Sequence, residues 1–126
     1  MSNLSAYLLV LMTVACTVYG QLIIKWHVLA AGKFPAAMPE RIRFMAALLV
    51  NPWIISAFVA AFLASLTWMA AMTKLPISQA YPLNSMTFIF VVLCGGFLFS
   101  EPLGMQKFVG VGLIIIGIIV ASQGPR

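Results

Sequence analysis

Charged residues are scarce in this chain. Only 7% of its 126 residues are Asp, Glu, Lys or Arg, and acidic residues number two. Soluble domains carry about a quarter of their residues as charges, so this composition excludes an ordinary water-soluble fold. Both acids, Glu40 and Glu101, lie outside the long apolar runs. A proton-coupled exporter of cations generally uses a carboxylate within the membrane, and we therefore do not expect that activity.

The residue sets that carry catalysis are also missing. No set of serine, histidine and acid, no carboxylate pair and no metal-spaced cluster can be assembled from the sequence. No glycine-rich loop for ATP occurs. The two cysteines, Cys16 and Cys94, lie inside apolar runs, where they behave as small hydrophobic residues. We expect no enzyme, no catalytic or metal site and no cofactor.

Apolar residues dominate what is present. They make up 63% of the chain, and the mean hydropathy is +1.11. A helix needs about 20 apolar residues to cross the hydrocarbon core of a membrane. The sequence therefore predicts an all-α membrane protein, one domain over residues 1–126 with four transmembrane helices, at about 4–29, 53–72, 77–99 and 105–122. The first apolar run lacks a basic leader and a cleavage site, so we expect it to stay in the membrane.

A shorter helix is indicated between the first two spans. Gly32, Pro35 and Pro39 break the chain after the first span. Residues 40–50 then place apolar side chains on one face and two arginines elsewhere. This pattern is typical of an interfacial helix whose arginines reach lipid headgroups. A simple extension of the second span explains it equally well.

Basic residues outnumber acidic ones and give a formal charge of +5. In a membrane protein they serve topology and anionic lipids rather than nucleic acid. The two longer loops hold Lys33, Arg41, Arg43 and Lys107, whereas the opposite side has Lys74 and Arg126. The positive-inside rule then places both longer loops in the cytoplasm and both termini outside.

The first span carries polar residues at a spacing of four: Thr13, Thr17, Gln21 and Lys25. This spacing traces one gently drifting stripe, which is expected to face protein or water rather than lipid. A threonine can return its hydroxyl to the carbonyl one turn back. Lys25 can reach the headgroups with its flexible stem. Gln21 cannot satisfy its amide locally, so it needs a partner helix, a cleft or a ligand.

A second polar region lies near the start of the third span. Pro82 falls inside that helix and removes one backbone hydrogen bond, which favours a kink. Tyr81, Asn84 and Ser85 lie within one turn of each other beside it. A ligand cleft and ordinary helix packing explain this cluster equally well.

The fourth span carries small residues along one stripe. Gly110, Ile114, Gly117 and Ala121 follow a spacing of four, three and four. Such a stripe lets another helix approach closely. We interpret Gly110, Gly117 and Ala121 as an assembly face, at which the chain forms a dimer.

Taken in order, several short segments resemble one family of transporters. Gly20-Gln21 with Lys25 four residues on, Ala80-Tyr81-Pro82-Leu83, and Glu101-Pro102-Leu103 before a glycine-bearing last span are similar to the drug/metabolite transporter superfamily in its four-helix, small multidrug resistance-like form. The drug exporters of that group have an essential glutamate where this chain has Thr17. The Gly-Gln and Ala-Tyr-Pro segments instead resemble the flippase subunits for aminoarabinose-phosphoundecaprenol. Asn51-Pro52-Trp53 also resembles EamA-type repeats.

The resemblance implies a bacterial inner-membrane flippase for a polyprenyl-phosphate-linked sugar, used in envelope glycan or lipid A modification. It also implies a homodimer or a pairing with a related subunit. We expect one group of residues to receive the phosphate: Lys25, Arg41, Arg43 and Lys107. We expect a second group to solvate the sugar: Thr17, Gln21, Tyr81, Asn84 and Ser85.

Two alternatives remain open at this point. The chain could transport a soluble metabolite or a cation within the same superfamily. It could also be a non-transporting accessory subunit that scaffolds a glycosyltransferase in the membrane.

Overall fold

The structure, a computed structural model, describes residues 3–123. This part of the chain forms helices and no strand: α1 (Asn3–Ala31), α2 (Met38–Leu49), α3 (Pro52–Met72), α4 (Ile77–Asn84), α5 (Met86–Leu98) and α6 (Met105–Ser122). Four stretches are long and apolar enough to cross a membrane, with α4 and α5 together making the third. The predicted fold class, an all-α protein with four membrane-spanning helices, is confirmed. Arg126, which enters the predicted charge balance, lies outside the described residues.

The most extensive packing is between α1 and α3. Small residues make this close approach possible, because α3 turns Ala57, Ala60 and Ala64 inward. A Cβ atom at Gly20 of α1 would lie 3.2 Å from the carbonyl oxygen of Ala57, which is a tight contact with a rigid backbone atom. Interfaces between membrane helices gain most of their stability from such close packing, since lipid tails are as apolar as the side chains.

The start of α3 follows from two residues. Asn51 precedes the helix, and its side-chain oxygen accepts a hydrogen bond from the Trp53 N–H at 2.9 Å. Pro52 occupies the first helical position, where a backbone N–H would have no partner within the helix, so its absence costs nothing. Both features separate α3 from α2, which packs against α1 and α3 through the buried Leu48.

The third span is interrupted at Ser85 rather than running as one helix. Pro82 cannot donate a hydrogen bond to the carbonyl of Ser78 one turn earlier. Three residues later, the Ser85 N–H is shared between the carbonyls of Tyr81 and Pro82, each at 3.1 Å. This tightening ends α4, and α5 begins at Met86.

A small core lies at the end of the bundle where α1 begins. It contains Ala6, Val10, Ala71, Leu75 and Ala80. Gln79 is buried beside it and donates a hydrogen bond from Nε2 to the Tyr7 hydroxyl. The first and third spans are thereby joined at this end.

The last span packs at the side of the bundle. Within residues 3–123, α6 contacts α4 and α5 but neither α1 nor α3. The preceding loop folds back onto α5, where the Leu103 side chain occupies the space that a Cβ at Gly96 would need. The loop between α5 and α6 is therefore fixed against the bundle.

Candidate functional site

A polar cavity of about 440 Å³ lies between α1, α3 and α4. It brings together four of the residues expected to bind substrate: Thr17, Gln21, Tyr81 and Asn84. Ser65 and Thr13 contribute two further hydroxyl groups. No charged residue of the described chain lines it. The cavity can therefore solvate a neutral polar group inside the membrane region, but it offers that group no counter-ion.

The hydroxyl groups of the α1 stripe already have protein partners. Thr13 is buried; its Oγ1 donates to the Leu9 carbonyl at 2.9 Å and lies 2.6 Å from Oγ1 of Thr67 on α3. Thr17 donates to the Thr13 carbonyl at 2.7 Å. Gln21, in contrast, makes no side-chain hydrogen bond to any residue of the described range, and it lines the cavity. Its amide remains available to a ligand.

The α4 side of the cavity combines an aromatic pair with an unpaired amide. The rings of Trp68 and Tyr81 meet edge to face, with centroids 5.4 Å apart. Asn84 lies one turn beyond Tyr81, and its buried Oδ1 has no hydrogen-bond partner between residues 3 and 123. A buried oxygen without a partner is costly, so Asn84 places an unsatisfied polar group in the wall of the cavity.

Ser85 does not line this cavity. It lies at a second cavity of about 360 Å³ between α4 and α6, which it shares with Tyr81 and Pro82. Its hydroxyl donates to the Tyr81 carbonyl at 3.3 Å. Tyr81 lines both cavities and so separates them.

Two of the predicted assembly residues, Gly117 and Ala121, also line this second cavity, facing α4 of the same chain. Gly110 lies further toward the start of α6. A Cβ atom at Gly110 or Gly117 would meet no atom of the described chain within 4 Å. The glycines therefore leave unfilled space along this stripe, and at Gly117 that space opens toward α4 of the same chain.

Lys25 lies one turn beyond Gln21 on α1 and does not line the polar cavity. Its Nζ forms an ion pair with Glu101 Oε1 at 3.5 Å, and the two side chains are 47% and 40% exposed. The start of α6 is capped by Gly104 without a side-chain hydrogen bond. Glu101 therefore pairs with Lys25 instead of capping that helix.

The other predicted phosphate residues lie on α2 and at the start of α6. Arg41 donates from Nε to the Pro35 carbonyl at 2.8 Å, and its guanidinium lies 5.0 Å from the Phe34 ring centroid. Arg43 and Lys107 are exposed and form no ion pair with another residue of the described chain. With Lys25 they occupy the same end of the bundle, because consecutive spans run in opposite directions.

Three site residues were missed from the sequence. Ser65 and Trp68 share a face of α3 with Ala61, three to four residues apart, and helical spacing from the inward-facing Ala57 would have indicated them. Glu101 lies 76 positions after Lys25, and no local pattern indicates their pairing. Among residues 3–123, no group of three or more His, Cys, Asp or Glu side chains could hold a metal ion.

Comparison with known proteins gives one family and a consistent group of relatives. The family described as "EamA-like transporter family" matches residues 4–123. Curated relatives carry the name "Probable 4-amino-4-deoxy-L-arabinose-phosphoundecaprenol flippase subunit ArnE". The Hamiltonella defensa protein is 41% identical over 59 residues, which cover 47% of this chain and 53% of the relative. The Pseudomonas fluorescens protein is 36% identical over 73 residues, covering 58% and 64%.

A longer alignment extends this similarity along most of the chain. The Aeromonas hydrophila protein is 28% identical over 113 residues, which cover 90% of this chain and 93% of the relative. The two more similar relatives above are matched over 53% and 64% of their own length, in each case under two thirds. No solved structure gives a significant match. These findings confirm the resemblance to EamA-type transporters and to flippase subunits.

Proposed function

The chain belongs to the EamA-like transporter family, and from this premise we propose that it flips a polyprenyl-phosphate-linked sugar across the bacterial inner membrane. The relatives that it matches are named as flippase subunits for 4-amino-4-deoxy-L-arabinose-phosphoundecaprenol. The flipped glycolipid would serve envelope glycan or lipid A modification. As a transport protein, it would neither make nor break a bond of the cargo.

The observation that carries this proposal is the uncharged polar cavity between α1, α3 and α4. A sugar is neutral at most of its surface and needs hydrogen bonds once it leaves water. Gln21 and Asn84 line the cavity with carboxamide groups that make no side-chain hydrogen bond within residues 3–123. The edge-to-face pair of Trp68 and Tyr81 offers apolar surface to the ring of the sugar.

The phosphate would stay at the cationic end of the bundle. Lys25 lies one turn beyond Gln21, and Arg41, Arg43 and Lys107 belong to the segments at the same end. Charge-assisted hydrogen bonds from such groups to phosphate oxygens are stronger than neutral ones. The isoprenyl tail would remain in lipid, against the exposed apolar side chains of the spans. In this arrangement sugar, phosphate and tail each meet a surface of matching polarity.

We place the two longer loops, and hence the phosphate site, in the cytoplasm, in agreement with their excess of basic residues. We also propose that the chain works as a dimer, either with itself or with a related subunit. The unfilled space beside Gly110 supports this assembly, because a neighbouring helix can approach closely there.

A second candidate is the transport of a soluble polar metabolite. The cavity volume of about 440 Å³ favours it, because pockets for small molecules commonly measure about 300–1,000 Å³. A soluble cargo would use Gln21 and Asn84 without engaging Lys25. The two candidates therefore differ in whether a lipid phosphate is bound.

Native mass spectrometry of the purified protein, exposed to a bacterial lipid extract, separates these candidates. We expect a dimer that retains a polyprenyl phosphate or its glycosylated form. The variant Gln21→Leu should lose the glycosylated form, whereas Gln106→Leu, which removes an exposed amide outside the cavity, should retain it. A dimer that carries only bulk phospholipid would contradict the flippase proposal and favour the soluble metabolite.

A further inference from the structure

Glu101 is one of two acidic residues in the chain, and the structure holds its carboxylate from two sides. Oε1 lies 3.5 Å from Lys25 Nζ. Oε2 rests against Gly95, where an added Cβ atom would lie 3.3 Å from it. A glycine at that position is therefore what gives the carboxylate room beside α5.

The segment around Glu101 is itself fixed to the bundle. Phe99 packs against Trp26 of α1, with ring centroids 5.9 Å apart. Ser100 has a φ of 53°, a conformation that non-glycine residues rarely adopt and that persists only where the surroundings impose it. Leu103 packs on Gly96. These contacts hold Glu101 opposite Lys25, which lies four residues after the cavity residue Gln21.

A carboxylate and a phosphate present the same kind of acceptor to an ammonium group, namely oxygens that carry negative charge. While Lys25 is paired with Glu101, one of its hydrogen-bond donors is directed to a ligand supplied by the protein. The two side chains are nearly half exposed, and ion pairs of this kind contribute little free energy. An incoming anion can therefore replace the carboxylate at small cost.

We propose that Glu101 occupies Lys25 in the place of the cargo's phosphate and is exchanged for it when the glycolipid binds. The inference rests on the proposed function and names a residue that sets the affinity of its phosphate site for anions. A carboxylate that competes for Lys25 weakens the binding of every anionic lipid by the same factor. Abundant phospholipids, which bind through the phosphate alone, then occupy the site less. A glycolipid gains additional binding from its sugar in the cavity and still occupies the site.

The test measures the dissociation constant of undecaprenyl phosphate for the full-length protein in detergent, by titration followed with native mass spectrometry. Glu101→Gln should bind about three- to fivefold more tightly than the wild type, as expected for removal of a partly exposed pair. Glu40→Gln removes the other acidic charge without touching Lys25, and its affinity should stay within about twofold. The affinity of Glu101→Gln for phosphatidylglycerol should rise by the same factor.

The double variant Lys25→Gln/Glu101→Gln shows whether the gain acts through Lys25. Its affinity should equal that of Lys25→Gln alone. Glu101→Asp withdraws the carboxylate by one methylene, keeps the charge and should give an intermediate gain, so the test stands even if Glu101→Gln is unstable. Wild-type binding without any gain in the Glu101 variants would overturn this inference and leave the flippase proposal intact. If neither the wild type nor any variant retains undecaprenyl phosphate, the proposed function fails, and this inference fails with it.

Discussion

At the scale of single residues, hydroxyl and carboxamide side chains in the spans satisfy their hydrogen bonds in different ways. Thr17 and Ser65 return their hydroxyls to backbone carbonyls one turn back, at 2.7 and 3.1 Å, which any helix permits. A carboxamide has four hydrogen-bonding positions and cannot do this. Gln79 finds the Tyr7 hydroxyl at the core. Gln21 and Asn84 line the cavity instead, and because of this difference we propose them as residues that contact cargo.

Asn84 provides the first prediction. Its Oδ1 is buried without a partner among residues 3–123, so Asn84→Leu should leave the stability unchanged or raise it by about 1 kcal/mol. Transport should fall at least about tenfold for a lost ligand hydrogen bond. Thermal unfolding in detergent and a transport assay measure the two effects. Thr87→Val is the matched control, because the Thr87 hydroxyl is likewise buried and unpaired but lies outside the cavity. It should be at least as stable and fully active; a stable Asn84→Leu protein with normal transport would exclude a cargo contact.

Lys25 provides the second prediction. Lys25→Ala should weaken binding of undecaprenyl phosphate by about tenfold, as expected for a charge-assisted contact, because the cation nearest the cavity is lost. The same titration on Lys74→Ala removes a cation at the opposite end of the bundle and should change the affinity by less than about twofold. Equal affinities for wild type and Lys25→Ala would show that Lys25 does not bind the phosphate.

At the scale of helices, the cavity depends on how closely α1 and α3 approach. Gly20 faces the Ala57 carbonyl, and the pair of Thr13 and Thr67 hydroxyls, 2.6 Å apart, joins the same two helices further along. These contacts set the width of the space that Gln21 and Ser65 share. The site is thus a property of this helix pair, completed by α4.

The third prediction tests this helix pair. Gly20→Leu should lower the stability by about 1–3 kcal/mol, because the new side chain meets a rigid backbone atom and must separate the helices. Transport should fall in parallel. Gly112→Leu introduces the same side chain on α6, where a Cβ meets no described atom within 4 Å, and should leave stability within about 1 kcal/mol. Melting temperatures in detergent measure both; equal values would show that α1 and α3 are not in tight contact at Gly20.

Local patterns predicted the four spans because hydrophobic length alone identifies them, and the α1 stripe predicted Gln21 as a residue in need of a partner. No local pattern indicates the role of Gly95 and Gly96, since both lie against residues of the following loop, Glu101 and Leu103. Pro82 indicated a distortion, but the position of the break at Ser85 depends on how the freed hydrogen bonds are rearranged. The sequence indicates that the flexible side chain of Lys25 can reach lipid headgroups. Its pairing with Glu101 became visible only in the tertiary structure.

At the scale of the whole molecule, four spans enclose the polar cavity only in part. The α6 helix packs on α4 and α5, and its contacts within residues 3–123 leave one face open. A partner subunit on that face would extend the bundle and help to shield a path for a sugar headgroup. Gly110 is the part of the small-residue stripe suited to that contact, since Gly117 and Ala121 border the cavity toward α4.

The fourth prediction concerns this assembly. Gly110→Leu should shift the purified protein from dimer toward monomer by at least about tenfold in dissociation constant, because a bulky side chain prevents close helix approach. The Cβ of the new side chain meets no atom of residues 3–123 within 4 Å, so the melting temperature of this variant in detergent should stay closer to that of the wild type than that of Gly20→Leu. Native mass spectra at several protein concentrations measure the shift. Gly112→Leu, about 160° away around the same helix by its spacing of two residues, should remain dimeric; identical behaviour of the two variants would refute the assembly face.

The most direct test of the central claim is transbilayer movement of a fluorescent polyprenyl-phosphate sugar in proteoliposomes, followed by its accessibility to a membrane-impermeant quencher. We predict that the wild-type protein, with any subunit that copurifies, moves this lipid across the bilayer well above the rate in protein-free liposomes. Thr87→Val should match the wild type, Asn84→Leu and Lys25→Ala should be much slower, and labelled phosphatidylglycerol should not move. A rate equal to that of empty liposomes, or equal movement of phosphatidylglycerol, would contradict the assignment as a glycolipid flippase.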